Sequence, residues 1–228
     1  MNNKKICFVI CYNQEVYLNE CLLYIYQLHI PDGYSMDILT ILDAPSMTMG
    51  YQAAMEESDA KYKIYIHQDV FILYRYFLDS IIQIFESYHR IGMIGMAGSA
   101  ALSEDYIMGN SEKYIVNLYQ RKGGYIDYGN YRYELGHGLS VMDSIDGLLM
   151  ATAYDIPWRT DILDGWDFYD VSQSFEFRKQ GYKIVVPVQH YPWCLHDFGG
   201  AYDYWDYDRS RSICMKEYPL SLFPPGSH

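Results

Sequence analysis

The chain opens on an unbroken apolar run, Ile6-Cys7-Phe8-Val9-Ile10-Cys11, the pattern of a strand buried on both faces. From Glu15 to Leu28 the apolar residues Leu18, Cys21, Leu22, Ile25 and Leu28 keep helical spacing, which predicts an amphipathic helix. Pro31-Asp32-Gly33 then breaks the chain. Residues 36–42 (MDILTIL) read as a second strand, and Ser46 or Thr48 could cap a short helix through Glu57. Residues 63–67 read as a third strand, closed by Gln68-Asp69. Leu78, Ile81, Ile82, Phe85 and Tyr88 form one stripe of a further helix, and residues 91–96 are a fourth strand.

This β-α-β-α-β-α-β order implies a largely parallel sheet covered by helices on both faces, with right-handed crossovers. Ligands of such sheets sit outside the carboxyl ends of the strands. Asp43 and Asp69 each fall just past one of those ends. Residues 98–140 differ: Gly, Tyr and polar residues dominate (RKGGYIDYGNYRYELGHG), so loops and short antiparallel strands are expected rather than a separate domain. Residues 144–151 read as one strand, 169–180 as a helix with Gly181 as its C-cap, and 182–187 as a last buried strand. From Tyr191 on, the tail is aromatic and acidic without clear periodicity.

Half of the 228 residues are hydrophobic and 20% are charged, which excludes wholesale disorder and allows one domain with its own core. Twenty-nine acids against 17 Lys+Arg give a formal charge of -12, the opposite of the basic face of a nucleic-acid binder. A phosphorylated substrate would therefore need local help, most simply from a divalent cation. The five cysteines, Cys7, Cys11, Cys21, Cys194 and Cys214, include no C-x-x-C pair, so a disulfide framework is not expected and a reducing compartment is. The first apolar run is too short for a secretion signal, and no apolar stretch is long enough to span a membrane. A cytoplasmic protein is the expectation, with peripheral association at the inner membrane face left open. The 26 tyrosines would serve equally in ordinary cores or as stacking surfaces for sugars and bases.

Familiar nucleotide and hydrolase motifs are missing: no G-x-x-x-x-G-K-[ST], no G-x-S-x-G and no H-E-x-x-H. Gly92, Gly95 and Gly98 make a G-x-x-G-x-x-G that does not match the dinucleotide fingerprint. What remains is carboxylates and histidines at element ends. Asp69 would face the crevice, where a carboxylate can hold a hard cation across two phosphates; the blander role is to cap the next loop. His67 shares its strand face and reads first as a hydrogen-bonded structural histidine. Asp164, Asp167 and Asp170, with Trp166 and Tyr169 beside them, suggest a sugar platform with a general base, although any one of them alone would read as a helix cap. His196, in CLHDFGG, gains weight as a metal ligand only if Asp69 is one too.

These pieces, in this order, resemble a family 2-type glycosyltransferase of the GT-A fold, closest to small bacterial glycosyltransferase-like proteins whose third strand ends in H-Q-D. The resemblance is carried by ICFVICYNQEVYLNECL, LDAPSMTMGYQAAMEESDAKYKIYIHQDVFI, DGLLMATAYDIPW and DILDGWDFYDVSQSFEFRKQGYKIVVPVQHYPWCLHDFGG. It spans most of residues 4–200. It implies a Rossmann-like α/β/α sandwich with a mostly parallel central sheet and a Tyr/Gly-rich acceptor-side insertion. One domain, 1–228, would comprise a nucleotide-binding half (about 1–97) and an acceptor and catalytic half (about 98–228).

Carried over residue by residue, the resemblance sets Cys11, Tyr12, Asn13, Asp43 and Gln68 against the nucleotide. Asp69 matches the last acid of a D-x-D-type motif holding Mn2+ or Mg2+, while His67 stands where the first acid would be. His196 approaches the metal or diphosphate, Asp170 is the catalytic base, and Asp146, Gly147, Trp166 and Asp167 lie on the acceptor side. The implied reaction moves a sugar from a UDP- or GDP-linked donor to a glycan, lipid-linked or protein acceptor, with inversion. At a helix start Asp170 would have its pKa lowered. A non-catalytic nucleotide- or glycan-binding module on the same fold is the alternative, and a metal-dependent phosphoesterase a weaker third.

Overall fold

The computed structural model describes residues 1–122, 125–131, 138–197 and 204–223. Its first third follows the hydrophobic pattern closely: β1 (Asn2–Tyr12), α1 (Glu15–Ile25), β2 (Ser35–Leu42), α2 (Met47–Glu57) and β3 (Ala60–Ile66). Ser46 is the cap of α2, its hydroxyl accepting from Met49 N at 3.2 Å. A three-residue strand, β4 (Val70–Ile72), precedes α3 (Phe77–Ser87) and β5 (Ile91–Gly95).

The later elements are β6 (Ala97–Ser99), β7 (Tyr114–Lys122), β8 (Tyr125–Tyr131), β9 (Leu139–Met142), β10 (Ser144–Ile145), β11 (Leu149–Thr152), α4 (Tyr169–Lys179), β12 (Lys183–Pro187), β13 (Cys194–His196) and α5 (Tyr204–Glu217). The antiparallel strands expected of the Tyr-rich middle are present as β6 to β9, although residues 123–124 and 132–137 of that stretch lie outside the described residues, as do Gly199-Gly200 and Tyr202. Three sequence expectations need correction. The single strand over 144–151 is two, because Asp146-Gly147-Leu148 turns between β10 and β11. The first helix stops at Ile25 and not Leu28. The tail carries β13 and α5, both too polar or too short to show a period.

The central sheet has the order β2-β1-β3-β11-β5-β12-β9. β2, β1, β3, β5 and β12 run in one direction, while β11 lies antiparallel between β3 and β5 and β9 opposes β12 at the edge. Alternate residues of β1 feed opposite layers. Ile6, Phe8 and Ile10 pack with α1 and α3, whereas Cys7, Val9 and Cys11 pack with α2 and α4. That division explains the continuous apolar run: both faces of the strand are covered. Gly181, in the left-handed region at φ 80°, ends α4 as expected. A third cluster, built from Tyr106, Phe168, Val171, Phe175, Cys214 and Tyr218, fixes α5 against α4.

A second sheet has the order β10-β6-β7-β13-β4, with β8 also paired to β7. Its short pair β4–β13 is the one that matters for chemistry, because it sets His196 opposite Val70.

Candidate active site

The carboxyl edge of the central sheet collects residues from four consecutive strands. β1 ends at Tyr12 and β2 at Leu42, and Asp43 N donates to Tyr12 O at 3.0 Å, so the two loop starts are tied. Asp43 itself is exposed and holds φ 48°, a left-handed conformation that a short polar side chain tolerates. After β3, Gln68 straps the neighbouring loop: its Oε1 accepts from Asn13 N at 3.1 Å and Gln14 N at 3.0 Å, and its Nε2 donates to Asn13 Oδ1 at 2.8 Å. Because β11 runs antiparallel, its start brings Asp146-Gly147-Leu148 to the same edge, where His67 N donates to Leu148 O at 3.0 Å.

His67, Asp69 and His196 each offer a ligand atom, and these atoms lie within 4.8 Å of one another. The β4–β13 ladder produces this meeting: Asp197 N donates to Asp69 O at 2.8 Å, and His196 Nε2 comes to 3.6 Å from Asp69 Oδ1. Burial works to raise the Asp69 carboxyl, but the bond and charge of His196 outweigh it and hold the pKa below its ordinary value. Burial would likewise lower the His196 imidazole, and Asp69 raises it on balance. His67 is pushed down by burial, which Asp69 only partly offsets. The pairing is therefore Asp69 with His196, leaving His67 neutral.

His67 also faces the other way, its Nε2 hydrogen-bonded to the hydroxyl of Tyr169. The Tyr169 ring packs over Gly147, where a Cβ would run into it; no other residue fits there without displacing the ring. Next to Tyr169, Asp170 accepts from Gly147 N at 2.9 Å through Oδ2 and from Val171 N at 2.7 Å through Oδ1. Burial and the nearby Asp146 charge overcome these two donors and lift Asp170 to about 7. The lowered pKa expected from its helix-start position is thus corrected: the low-dielectric surroundings and a second acid outweigh the helix end.

A cavity of about 350 Å³ unites these groups, a size suited to a small-molecule site. His67, Asp146, Asp167 and Asp170 supply its polar wall, and Tyr106, Met108, Tyr114, Trp166 and Tyr207 its apolar one. No Lys or Arg stands among the described residues that line it. Trp166 is 44% exposed, so its ring is open to a ligand, whereas Tyr169 is buried and serves as a support.

Most residues singled out from the sequence reach this edge: Tyr12, Asn13, Asp43 and Gln68 on one flank, Asp69 and His196 at the centre, Asp146, Gly147, Trp166, Asp167 and Asp170 around the cavity. Cys11 does not offer its side chain. It is 5% exposed, its sulfur packs against Gly50 of α2, and burial pushes the thiol up to about 12, so only its backbone remains for a ligand. His67, which the sequence reads first as a hydrogen-bonded structural histidine, does bond to Tyr169, and it also lies within 4.8 Å of the ligand atoms of Asp69 and His196. The roles of Tyr106, Tyr114, Tyr169 and Tyr207 had no local signal, because 26 tyrosines hide a few.

Among the described residues no helix is long and apolar enough to cross a membrane, and all five cysteines are free and buried. No curated protein matches the chain in sequence. In three dimensions it is similar to S. aureus TarS 1-349 in complex with UDP, at 9% identity and TM-score 0.56, over 93% of this chain and 65% of that one. The same protein in complex with UDP-GlcNAc gives 11% identity and TM-score 0.58, over 93% and 66%. The mannosyltransferase PcManGT from Pyrobaculum calidifontis in complex with GDP-Man and Mn2+ gives 10% identity and TM-score 0.55, over 87% and 58%. The chain thus spans about three fifths to two thirds of the length of these structures, and the likeness establishes the fold. The model of a glycosyltransferase-like family matches residues 7–218, nearly the whole chain, and the protein belongs to that family.

Proposed function

We propose that this protein transfers a sugar from a nucleoside diphosphate donor to an acceptor hydroxyl, with a divalent cation at His67, Asp69 and His196 and with Asp170 as general base. The observation that carries the reading is the continuity of the site. One tyrosine, Tyr169, touches His67 of the cation triad and is the chain neighbour of Asp170, and both His67 and Asp170 line the same cavity. Leaving group and acceptor can then be handled from adjoining sides of one pocket.

The residues present fit a cation: two imidazoles and a carboxylate converge, and Asp69 is already held in its charged form. When bound, the ion would supply Lewis-acid stabilisation of charge growing on the departing diphosphate. The loop of Tyr12 and Asn13, held by Gln68, would seat the nucleotide, with the Asp43 carboxylate near the base and ribose. UDP, UDP-GlcNAc and GDP-Man are the ligands named for the similar structures, and at a formal charge of -12 a cation would help this chain accept such a diphosphate. Asp170 would take the acceptor proton as the hydroxyl attacks the anomeric carbon, breaking the bond to the diphosphate oxygen. A single displacement of this kind inverts the anomeric centre.

A pKa near 7 suits this role better than a depressed one. The carboxylate is still substantially ionised at neutral pH, yet basic enough to pull on a hydroxyl proton. Trp166 would offer an apolar face to the pyranose ring of the acceptor, with Asp146 and Asp167 accepting from its hydroxyls. The test is turnover of UDP- and GDP-sugars with Mn2+ by the purified protein and by Asp170→Asn. Loss of transfer with donor binding retained supports the assignment; equal rates for both proteins reject it.

A further inference from the structure

Away from the sugar-transfer cavity, where β5 and β12 begin, a groove of about 480 Å³ runs beside the end of α3. Its floor is aliphatic: Ile91 and Val185 are buried, Leu139 and Val141 half-buried. All four pack in the layer that contains α3. Ile184 and Val186, which alternate with Val185, lie with Phe177 of α4 in the other layer. Tyr88, which closes α3 and is 56% exposed, makes one wall.

The rim of this groove is cationic. His89, Arg90 and Lys183 line it, and no acid does so among the described residues. Lys183 N donates to Arg90 O at 2.7 Å, which sets the two residues side by side. Neither side chain has an ion-pair partner among the described residues. The active-site cavity is the reverse, with Asp146, Asp167 and Asp170 in its lining and no Lys or Arg. In a chain of formal charge -12, two adjacent unpaired cations form a local field that attracts an anion, and the guanidinium fork matches a carboxylate.

The floor narrows the choice of anion. The backbone of β12 and β9 is used in their own ladder, Val185 opposite Val141 and Val186 opposite Ser140. An extended peptide laid over these side chains would leave its own polar backbone without partners. An alkyl chain has no such groups, and it gains from every methylene it covers. A bilayer is flat, and an anionic one repels a chain of this net charge; a concave groove of this volume suits one small molecule.

We propose that the groove binds a free single-chain carboxylate amphiphile, its alkyl chain along Ile91, Leu139, Val141 and Val185 and its head between Arg90 and Lys183. The site shares no lining residue with the sugar-transfer cavity, so it stands or falls without that reading.

The experiment is calorimetric titration of the whole chain with octanoate, decanoate and laurate below their micellar concentrations. Dodecyltrimethylammonium, with the same chain length as laurate and the opposite charge, is the control. Affinity should rise about threefold per added methylene, and laurate should bind more tightly than the cation in spite of the protein's negative charge. Arg90→Glu and Lys183→Glu should each weaken laurate about fivefold, with circular dichroism and UDP binding unchanged. The chain-length series uses the parent protein, so it decides the matter even if a variant fails to fold. No binding of laurate in the millimolar range, tighter binding of dodecyltrimethylammonium, or an affinity indifferent to chain length overturns the proposal. So do folded charge-reversed variants that hold laurate as the parent does, and so does binding seen only on phosphatidylglycerol vesicles, which would make this face a membrane contact.

Discussion

Tyr169 holds His67 through its hydroxyl while its ring covers Gly147, and the backbone N–H of that glycine is bonded to Asp170. One aromatic side chain thereby connects the end of β3, the turn before β11 and the start of α4. Disturbing any of the three should be felt at the other two.

Gly147→Ala is the sharpest probe of that connection. The added methyl meets the Tyr169 ring, and overpacking of this sort costs about 1–3 kcal/mol. We expect a lower Tm and, beyond that, weaker binding of Mn2+ as His67 loses its support. Calorimetry on folded protein below its Tm separates the two effects; an alanine variant with unaltered Mn2+ affinity would contradict the arrangement.

Asp170 predicts a pH signature with a definite sign. Its carboxyl sits at about 7 in the folded protein, so transfer should decline as pH falls through neutrality and level off above about 8. For stability the direction is opposite. An acid whose folded pKa is raised contributes stability below its unfolded pKa and loses it as pH rises through the folded value. The Tm of Asp170→Asn minus that of the parent should therefore grow between pH 4 and pH 8. A difference that is flat across this range would show that the carboxyl is not strained by its surroundings.

The cavity wall carries Asp146, Asp167 and Asp170 and no cation among the described lining residues. A carboxylate on the acceptor would meet like charges there, at a cost of roughly 1–2 kcal/mol for a partly screened neighbour. Methyl glucoside should therefore bind about tenfold better than methyl glucuronide in saturation-transfer NMR, and Asp167→Asn should shrink the gap. Preference for the glucuronide would reverse the picture.

Away from the site, Lys63 is fully buried, donating to Asp155 Oδ1 at 2.7 Å and to Ala60 O at 2.8 Å. Removing one partner of such a pair costs about 3 kcal/mol because the other charge stays buried. Asp155→Ala should lower stability to urea by that order, whereas Lys63→Met should cost clearly less. Nucleotide and metal affinity should be untouched in both, which makes them useful controls.

Local order determined much of this protein. The run Ile6–Cys11 could only be a strand covered on both sides, the stripes of α1 and α3 could only face a sheet, and the alternation of the two implied carboxyl-edge loops where Asp43 and Asp69 would lie. Those inferences hold because side-chain period and burial are properties of neighbouring residues. What brought His196 to Asp69 was different: two three-residue strands, β4 and β13, whose pairing joins segments over a hundred residues apart and leaves no periodic trace. The elevated pKa of Asp170 likewise came from Asp146 and from enclosure, not from its own helix. Tyr169, Gly147 and His67 each looked ordinary in the chain, and only their packing against one another made them a unit. Short-range pattern decides which elements form, because it acts through adjacent residues; a site's chemistry depends on distance and dielectric, which exist only once the chain has closed on itself.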